Sequence, residues 1–334
     1  MRTKPLGESG IEASVVGLGT WAIGGWMWGG TDEADSVNAV HAAIDEGITL
    51  VDTAPMYGMG RSEEIVGKAL RGRRDKAVLA TKCGLVWHVD KGDYYFATDR
   101  QHVSENGDTA VYKYLGPESI RYEVEQSLKR LQTDYIDLYQ THWQESATLI
   151  ADTMGELLKL RDEGKIRAIG VSNVNPTQLE EYRAAGPVHS DQEKYSMLDR
   201  KHEKGLLPYC KKHGLAFLAY SPLAQGLLTG KVGPERTFSS GDQRNRKKRF
   251  SAENRQKITD MLDEFRPVAD RHSMSLAQLA VAWTVHQPGC SHALIGARTQ
   301  SQARENAGAG DVVLDQDDLD LMTAALDRHT PDIT

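Results

Sequence analysis

The sequence is poor in the features that mark secreted, membrane-spanning and metal-dependent proteins. No apolar run approaches the roughly 20 residues needed to cross a bilayer. The opening Met1-Arg2-Thr3-Lys4-Pro5 lacks the apolar core of a signal peptide, so a cytoplasmic protein without membrane association is expected. Only three cysteines, Cys83, Cys210 and Cys290, occur in 334 residues, widely spaced and with no CxxC pair, and free thiols are expected rather than a disulfide framework. The 11 histidines show no HxH or HExxH spacing at strand ends, which disfavours a metal-dependent hydrolase and leaves no metal site to expect. Basic charge is also in deficit, with a net charge of -7. Duplex affinity rests on many Lys and Arg contacts to phosphate, so nucleic acid is not an expected partner.

What is present suits a large soluble core: 40% of residues are hydrophobic and 26% charged. The stretch that organises the rest is Val51-Asp52-Thr53-Ala54-Pro55-Met56-Tyr57-Gly58, an apolar strand end that delivers a carboxylate and then turns into a tyrosine. Alone it reads as ordinary loop punctuation. The next strand-like run, Ala77 to Thr81, delivers Lys82 at the same kind of position, and Tyr135 to Tyr139 leads through Gln140-Thr141 to His142-Trp143.

Along the chain, turn signals at Gly7 to Gly10 predict a hairpin within residues 1 to 14. Val15 to Trp21 reads as a strand ending in a glycine-rich loop. Gly17-Leu18-Gly19-Thr20-Trp21-Ala22 fits the dinucleotide fingerprint G-x-G-x-x-A, but the first convincing helix begins only at Asp32, so the match is accidental. Helices are predicted at 32–46, 62–71, 117–131, 147–163, 176–185, 202–213, roughly 252–287, and 299–307. They alternate with strands at 49–52, 77–81, 135–139, 166–171, 189–192, 215–220 and 293–295. Helices between strands imply parallel pairing through right-handed crossovers. Eight strand and helix units without a composition break predict one closed α/β domain over 1–334, a (β/α)8 TIM barrel with an N-terminal β-hairpin. An extra C-terminal helix, about 315–327, is expected to pack across the barrel. A polar and aromatic insertion, 83–116, follows the strand carrying Lys82, and a basic loop spans 231–250.

In such a barrel the site lies at the carboxyl ends of the strands, where Asp52, Lys82, His142, Ser172-Asn173, Gln192 and Tyr220-Ser221 all fall. A tyrosine with a free pKa of about 10 is a poor acid near neutrality unless a cation steadies its phenolate. Lys82 can supply that cation, and Asp52 can hold Lys82. His142 can orient a carbonyl oxygen for protonation by Tyr57. The hydride that completes a reduction cannot come from side chains, so a nicotinamide cofactor is implied.

These residues lie in motifs that resemble the aldo-keto reductases over essentially the whole length: Gly17-Leu18-Gly19-Thr20-Trp21, Asp52 to Gly58, Thr81-Lys82, Gln140 to Trp143, Gly170-Val171-Ser172-Asn173 and Tyr220-Ser221-Pro222-Leu223. Tyr-Gly-x-Gly-x-Ser-Glu, here Tyr57 to Glu63, is similar to the bacterial branch. The resemblance implies a catalytic tetrad of Asp52, Tyr57, Lys82 and His142. It implies a carboxamide held by Ser172, Asn173 and Gln192, and a nicotinamide stacked on Tyr220 near Thr20 and Trp21. Ser221, Leu223, Gln225, Gly226 and Lys231 would follow the pyrophosphate, and Gly296, Arg298, Gln302, Glu305 and Asn306 the adenosine end. Many members carry Arg where this chain has Gln302. NADP(H) is the expected cofactor, with an aldehyde, ketone or alcohol as small-molecule substrate; a nicotinamide-binding regulatory subunit is the alternative. The basic run 244–249, beginning at Arg244, reads as a solvated loop or a flap over cofactor phosphates. Trp21, Trp28, Trp87, Tyr94, Tyr95 and Trp143 are candidates for a substrate wall.

Overall fold

The computed structural model describes residues 1–103, 106–330 and 333. β1 (Thr3–Pro5) and β2 (Glu12–Ser14) form the antiparallel N-terminal hairpin. They are followed by β3 (Val16–Gly19), β4 (Leu50–Asp52) and β5 (Val78–Cys83), and within the insertion by β6 (Leu85–Val86), β7 (Asp93–Thr98) and β8 (Thr109–Lys113). β9 (Ile136–Thr141), β10 (Ile166–Ser172), β11 (Ser190–Lys194), β12 (Ala216–Tyr220) and β13 (Cys290–Gly296) complete the strands. β3, β4, β5 and β9 to β13 pair in parallel as a closed ring, shut where β13 meets β3.

The helices between them are α1 (Glu33–Asp45), α2 (Arg61–Ala69), α3 (Pro117–Leu131), α4 (Ile150–Asp162), α5 (Pro176–Ala185), α6 (Leu206–His213), α7 (Ala252–Arg271), α8 (Leu276–His286), α9 (Gln300–Ala307) and α10 (Gln316–His329). Their starts have clear local causes. Pro117 opens α3, where its missing N–H costs nothing, and Asn175 with Gln178 and Ser275 with Gln278 form capping boxes for α5 and α8.

The period of two along each strand divides the barrel interior into layers. Leu50, Ala80, Leu138 and Leu218 form an apolar floor that is closed from below by Leu6, Ile11 and Ala13 of the hairpin region. Two residues further on, the same faces carry Asp52, Lys82, Gln140 and Tyr220. The larger core lies between barrel and helices. The chain ends meet at the amino-terminal side: Arg2 donates to the Gly310 and Val312 carbonyls at 2.9 and 2.8 Å, and Lys4 to the Cys290 carbonyl at 2.9 Å.

Several expectations are corrected. The C-terminal helix does not cross the barrel; α10 packs on the outside against α7, and Asp318 accepts from Arg271 and His272. The insertion, whose residues 104 and 105 lie outside the described set, is folded as an antiparallel sheet in the order β6–β8–β7. Helix 147–163 begins only at Ile150, because Glu145 holds the Ala147 and Thr148 amides in a turn. The helices expected over 252–287 are present as α7 and α8, parted at Ser273, which adopts a left-handed φ of 52°. All three cysteines are free and buried, and among the described residues no helix is long and apolar enough to cross a membrane.

Candidate active site

Asp52, Lys82, Tyr57 and His142 come together at the carboxyl ends of β4, β5 and β9. Lys82 Nζ donates to Asp52 Oδ1 at 2.7 Å and to the Thr53 carbonyl at 2.9 Å, and lies 3.2 Å from the Tyr57 hydroxyl. The side chains of Lys82 and Asp52 are 1% and 3% exposed, so the pair is fully desolvated. The His142 ring meets Tyr57 edge-on, with centroids 6.0 Å apart.

The Tyr57 loop is fixed by backbone contact. A Cβ on Gly24 would collide with the Tyr57 carbonyl, and one on Gly58, whose φ is +70°, with the Gly24 carbonyl, so both positions need glycine. The motif's Ser62 accepts from Thr53 Oγ1 at 3.0 Å and donates to the Thr20 carbonyl at 3.0 Å. Buried Glu63 accepts from Thr81 Oγ1 and Arg130 Nε, each at 2.7 Å.

Electrostatics set the proton inventory. Burial raises the Tyr57 phenol; Lys82 pulls it back without overcoming burial, so the adjacent cation limits the rise but does not lower the pKa below its free value. Burial opposes the charge on Lys82, yet Asp52 and Tyr57 outweigh it and the ammonium is held above its ordinary value. Burial, and then the Lys82 charge, keep His142 well below its ordinary value, hence neutral. The arrangement can hold one proton on a tyrosine beside a permanent cation, with a neutral imidazole as hydrogen-bonding neighbour.

A cleft of about 410 Å³ opens over this cluster. Thr20, Trp21, Asp52, Tyr57 and Tyr220 lie at its inner end. Ser221, Leu223, Gln225, Gly226, Lys231 and Arg244 line its middle, and Gly296, Arg298, Gln302, Glu305 and Asn306 its outer end. Ser172, Asn173 and Gln192 lie beneath rather than on this wall. Tyr220 donates to Asn173 Oδ1 at 2.9 Å, Asn173 donates to Ser172 Oγ and the His142 carbonyl at 3.0 Å, and Ser172 donates to the Gln192 carbonyl at 2.7 Å. Ser221, Ala224, Gln225 and Gly226 all have positive φ, a costly run for three non-glycine residues that bends the backbone around the cleft.

The basic run is already folded. Arg244 is paired with buried Asp242 at 2.6 Å and stacks over Phe238 and Trp28, Lys247 donates to Gln225 Oε1 and Arg249 to Asp199. A backbone bridge between Trp28 and Asp242 joins this segment to the loop after β3, and Arg298 donates to the Trp28 carbonyl at 3.3 Å. A cleft with a bent backbone, the Arg298 guanidinium toward one end and Tyr57 at the other fits an elongated, anionic dinucleotide.

The aromatic candidates divide. Trp21 stacks near Tyr57 and Trp28 lines the cleft. Tyr95 packs on Trp143, the residue after His142. Tyr94 is 61% exposed and meets only Tyr112, and Trp87 lines a separate cavity with His88 and Tyr122. Sequence reading passed over Gln140, which donates to Asp52 Oδ2 at 3.2 Å; its place two residues after Leu138 on one strand face was the available signal. It also passed over Arg236 and Asp242.

Comparison with known proteins agrees with this geometry. The model of the Aldo/keto reductase family matches residues 15–327. The NADH-specific methylglyoxal reductase of Escherichia coli is 43% identical over 328 residues, covering 96% of this chain and 97% of that protein. Among solved structures, the glycerol dehydrogenase of Gluconobacter oxydans superposes with a TM-score of 0.87 at 40% identity, covering 98% of this chain and 96% of that one. An aldo/keto reductase of Klebsiella pneumoniae, in complex with NADP and acetate, gives 0.71 at 29% identity over 99% and 96%. The barrel, the residues clustered at its carboxyl end and the match across nearly the whole chain lead to one conclusion: this chain belongs to the aldo/keto reductase family, whose members are nicotinamide-dependent oxidoreductases acting on aldehydes and alcohols.

Proposed function

We propose that this chain reduces aldehydes or ketones to alcohols, and runs the reverse oxidation, with Tyr57 as general acid and base and with a preference for NADP(H). The observation that carries the reading is the Tyr57 hydroxyl 3.2 Å from Lys82 Nζ, which is itself anchored on Asp52, at the inner end of the cleft. The nicotinamide, when bound, supplies or accepts the hydride at the carbonyl carbon.

The side chains do the rest. His142, neutral, donates a hydrogen bond that positions the carbonyl oxygen. Tyr57 gives that oxygen its proton as negative charge develops there, because a developing alkoxide is a stronger base than a phenolate even when burial raises the phenol. Lys82, charged throughout, stabilises the phenolate left behind, and Asp52 keeps Lys82 charged and aimed. Tyr220, held by Asn173, which in turn rests on Ser172, offers a ring face to the nicotinamide.

Cofactor preference rests on Arg298. It stands at the start of α9, next to Gln302 and on the cleft rim, where a fork of donors suits a 2′-phosphate. Lys231, from the middle of the cleft, is paired with Glu305 at 2.8 Å. The Escherichia coli relative named as NADH-specific makes this the point to test. Arg298→Ala should weaken NADPH at least about tenfold, the loss of a contact worth roughly 1.5 to 3 kcal/mol, and leave NADH nearly unchanged. Titration of both cofactors by tryptophan quenching reads this directly, and an equal loss for both removes Arg298 from phosphate recognition. Assays of aldehydes, ketones and polyols with both cofactors test the reaction itself; absence of multiple turnover with all of them overturns it.

A further inference from the structure

Lys113 ends β8, in the sheet of the insertion, and its ammonium lies 4.5 Å from the ring centroid of Tyr95 and 4.9 Å from that of Trp143. Trp143 follows His142 directly, and packs against the cluster that includes Met56, the neighbour of Tyr57. Tyr95 lies within electrostatic reach of Tyr220: burial raises the Tyr220 phenol first, and the Glu193, Tyr57 and Tyr95 hydroxyl or carboxyl groups add to it. Lys113 therefore sits at the substrate side of the site.

Its ammonium has no carboxylate within 4 Å among the described residues. Asp93 is directly opposite in the β7–β8 register, but its carboxylate is taken by the Ser146 amide and hydroxyl, at 3.1 and 2.6 Å. Lys82, Lys231 and Arg244 are, by contrast, each paired with an acid. An ammonium held between two ring faces is partly shielded from water and retains free donors. Such a group favours an anion brought in beside it, and does so more strongly than a fully solvated lysine would.

We propose that Lys113 is a specificity-determining residue, and that it selects carbonyl substrates bearing a carboxylate beyond the carbonyl group. The inference rests on the carbonyl-reductase reading above and names its preferred substrate class. Tyr95 and Trp143 provide the apolar span between the two ends of such a substrate, with His142 and Tyr57 at the carbonyl and Lys113 at the carboxylate.

The test compares 4-carboxybenzaldehyde with its methyl ester, which differ in one charge, in wild type, Lys113→Met and Lys113→Arg. Wild type should favour the acid in kcat/KM. Lys113→Met should cut the acid-to-ester ratio roughly tenfold through KM, and Lys113→Arg should restore it. An unchanged ratio overturns the proposal. If both substrates lose equally, Lys113 is only a clamp between Tyr95 and Trp143. Binding of the product alcohol 4-(hydroxymethyl)benzoate with no oxidised cofactor present, followed by tryptophan quenching, reads the same contact without turnover. Absent turnover with charge-dependent binding that Lys113→Met abolishes would count against the reductase reading and for the anion site. Binding that Lys113→Met leaves unchanged would count against the anion site whatever the turnover.

Discussion

Gln192 donates to Asp52 across the barrel, 2.8 Å from Nε2 to Oδ2, from a position 140 residues further along the chain. It occupies the carboxylate oxygen that Lys82 leaves free, and Gln140 adds a second donor to the same oxygen at 3.2 Å. Asp52 is thus held by three donors from three strands, and its role in the proposed mechanism, aiming Lys82, is supported by a rigid base. The amide hydrogens of Gln192 are spent on Asp52 and Gln140, just as those of Asn173 are spent on Ser172 and the His142 carbonyl and the Ser172 hydroxyl on the Gln192 carbonyl.

Tyr57→Phe should remove the proton donor while leaving the cleft intact. Carbonyl reduction should fall on the order of 100-fold or more, with cofactor affinity nearly unchanged. Single-turnover kinetics alongside fluorescence titration separate the two, and near wild-type turnover would remove Tyr57 from the chemistry.

Lys82→Met should damage stability as well as rate, because it strands the Asp52 carboxylate in a desolvated site. Breaking a buried pair from one side costs roughly 3 to 5 kcal/mol. The double variant Asp52→Asn with Lys82→Met should recover part of that loss while remaining inactive. Urea unfolding of the two single variants and the double variant measures the coupling, and simple additivity would show that the pair is not coupled.

The pH profile of reduction should lack a histidine inflection. His142 is held neutral by burial and by Lys82, so its protonation lies well below the usual range, and burial holds the Tyr57 phenol above its ordinary value. The chemical step should be flat from about pH 6.5 to about pH 9 on account of these groups. A break near pH 6.5 that vanishes in His142→Gln would contradict the neutral assignment.

Glu123 gives a stability prediction of definite sign. Burial raises its carboxyl from 4.5 to about 8, against the pull of the Gly84 amide. A raised folded pKa means stability present below about pH 4.5 and lost progressively up to about pH 8, as the buried acid must ionise. Glu123→Gln should therefore gain on wild type as pH rises, by up to a few kcal/mol, with little difference in acid. Urea midpoints near pH 5 and pH 9 check it; the same gap at both would mean that Glu123 does not titrate on unfolding.

The barrel and most of the site could be read from the chain because both depend on short-range periodicity. Alternation of helix and strand forces parallel pairing, and Asp52, Lys82 and His142 sit at or just past strand ends that apolar runs reveal. What escaped depends on long-range contacts. The Tyr94-Tyr95-Phe96 run becomes a strand only because residues 109–113 pair with it. Pairing of Arg244 with Asp242, and the outward docking of α10 on α7, likewise leave no local pattern. Glu123 looked like any polar position on an amphipathic helix, since its burial is decided by the insertion folding over it.

The ring closes between β3 and β13, with His292 Nδ1 3.0 Å from the Ser14 carbonyl 278 residues away, and Arg2 docks on Gly310. Synthesis must therefore pass β13 before this seam can form. Until then the nascent sheet has two open edges, β3 and whichever strand was synthesised most recently, each a template for pairing with another chain. Biogenesis of this protein should accordingly be sensitive to translation speed and to chaperone supply at a stage when most of the proposed catalytic cluster is already synthesised, and a stop anywhere before residue 290 should yield an aggregating product rather than a smaller soluble one.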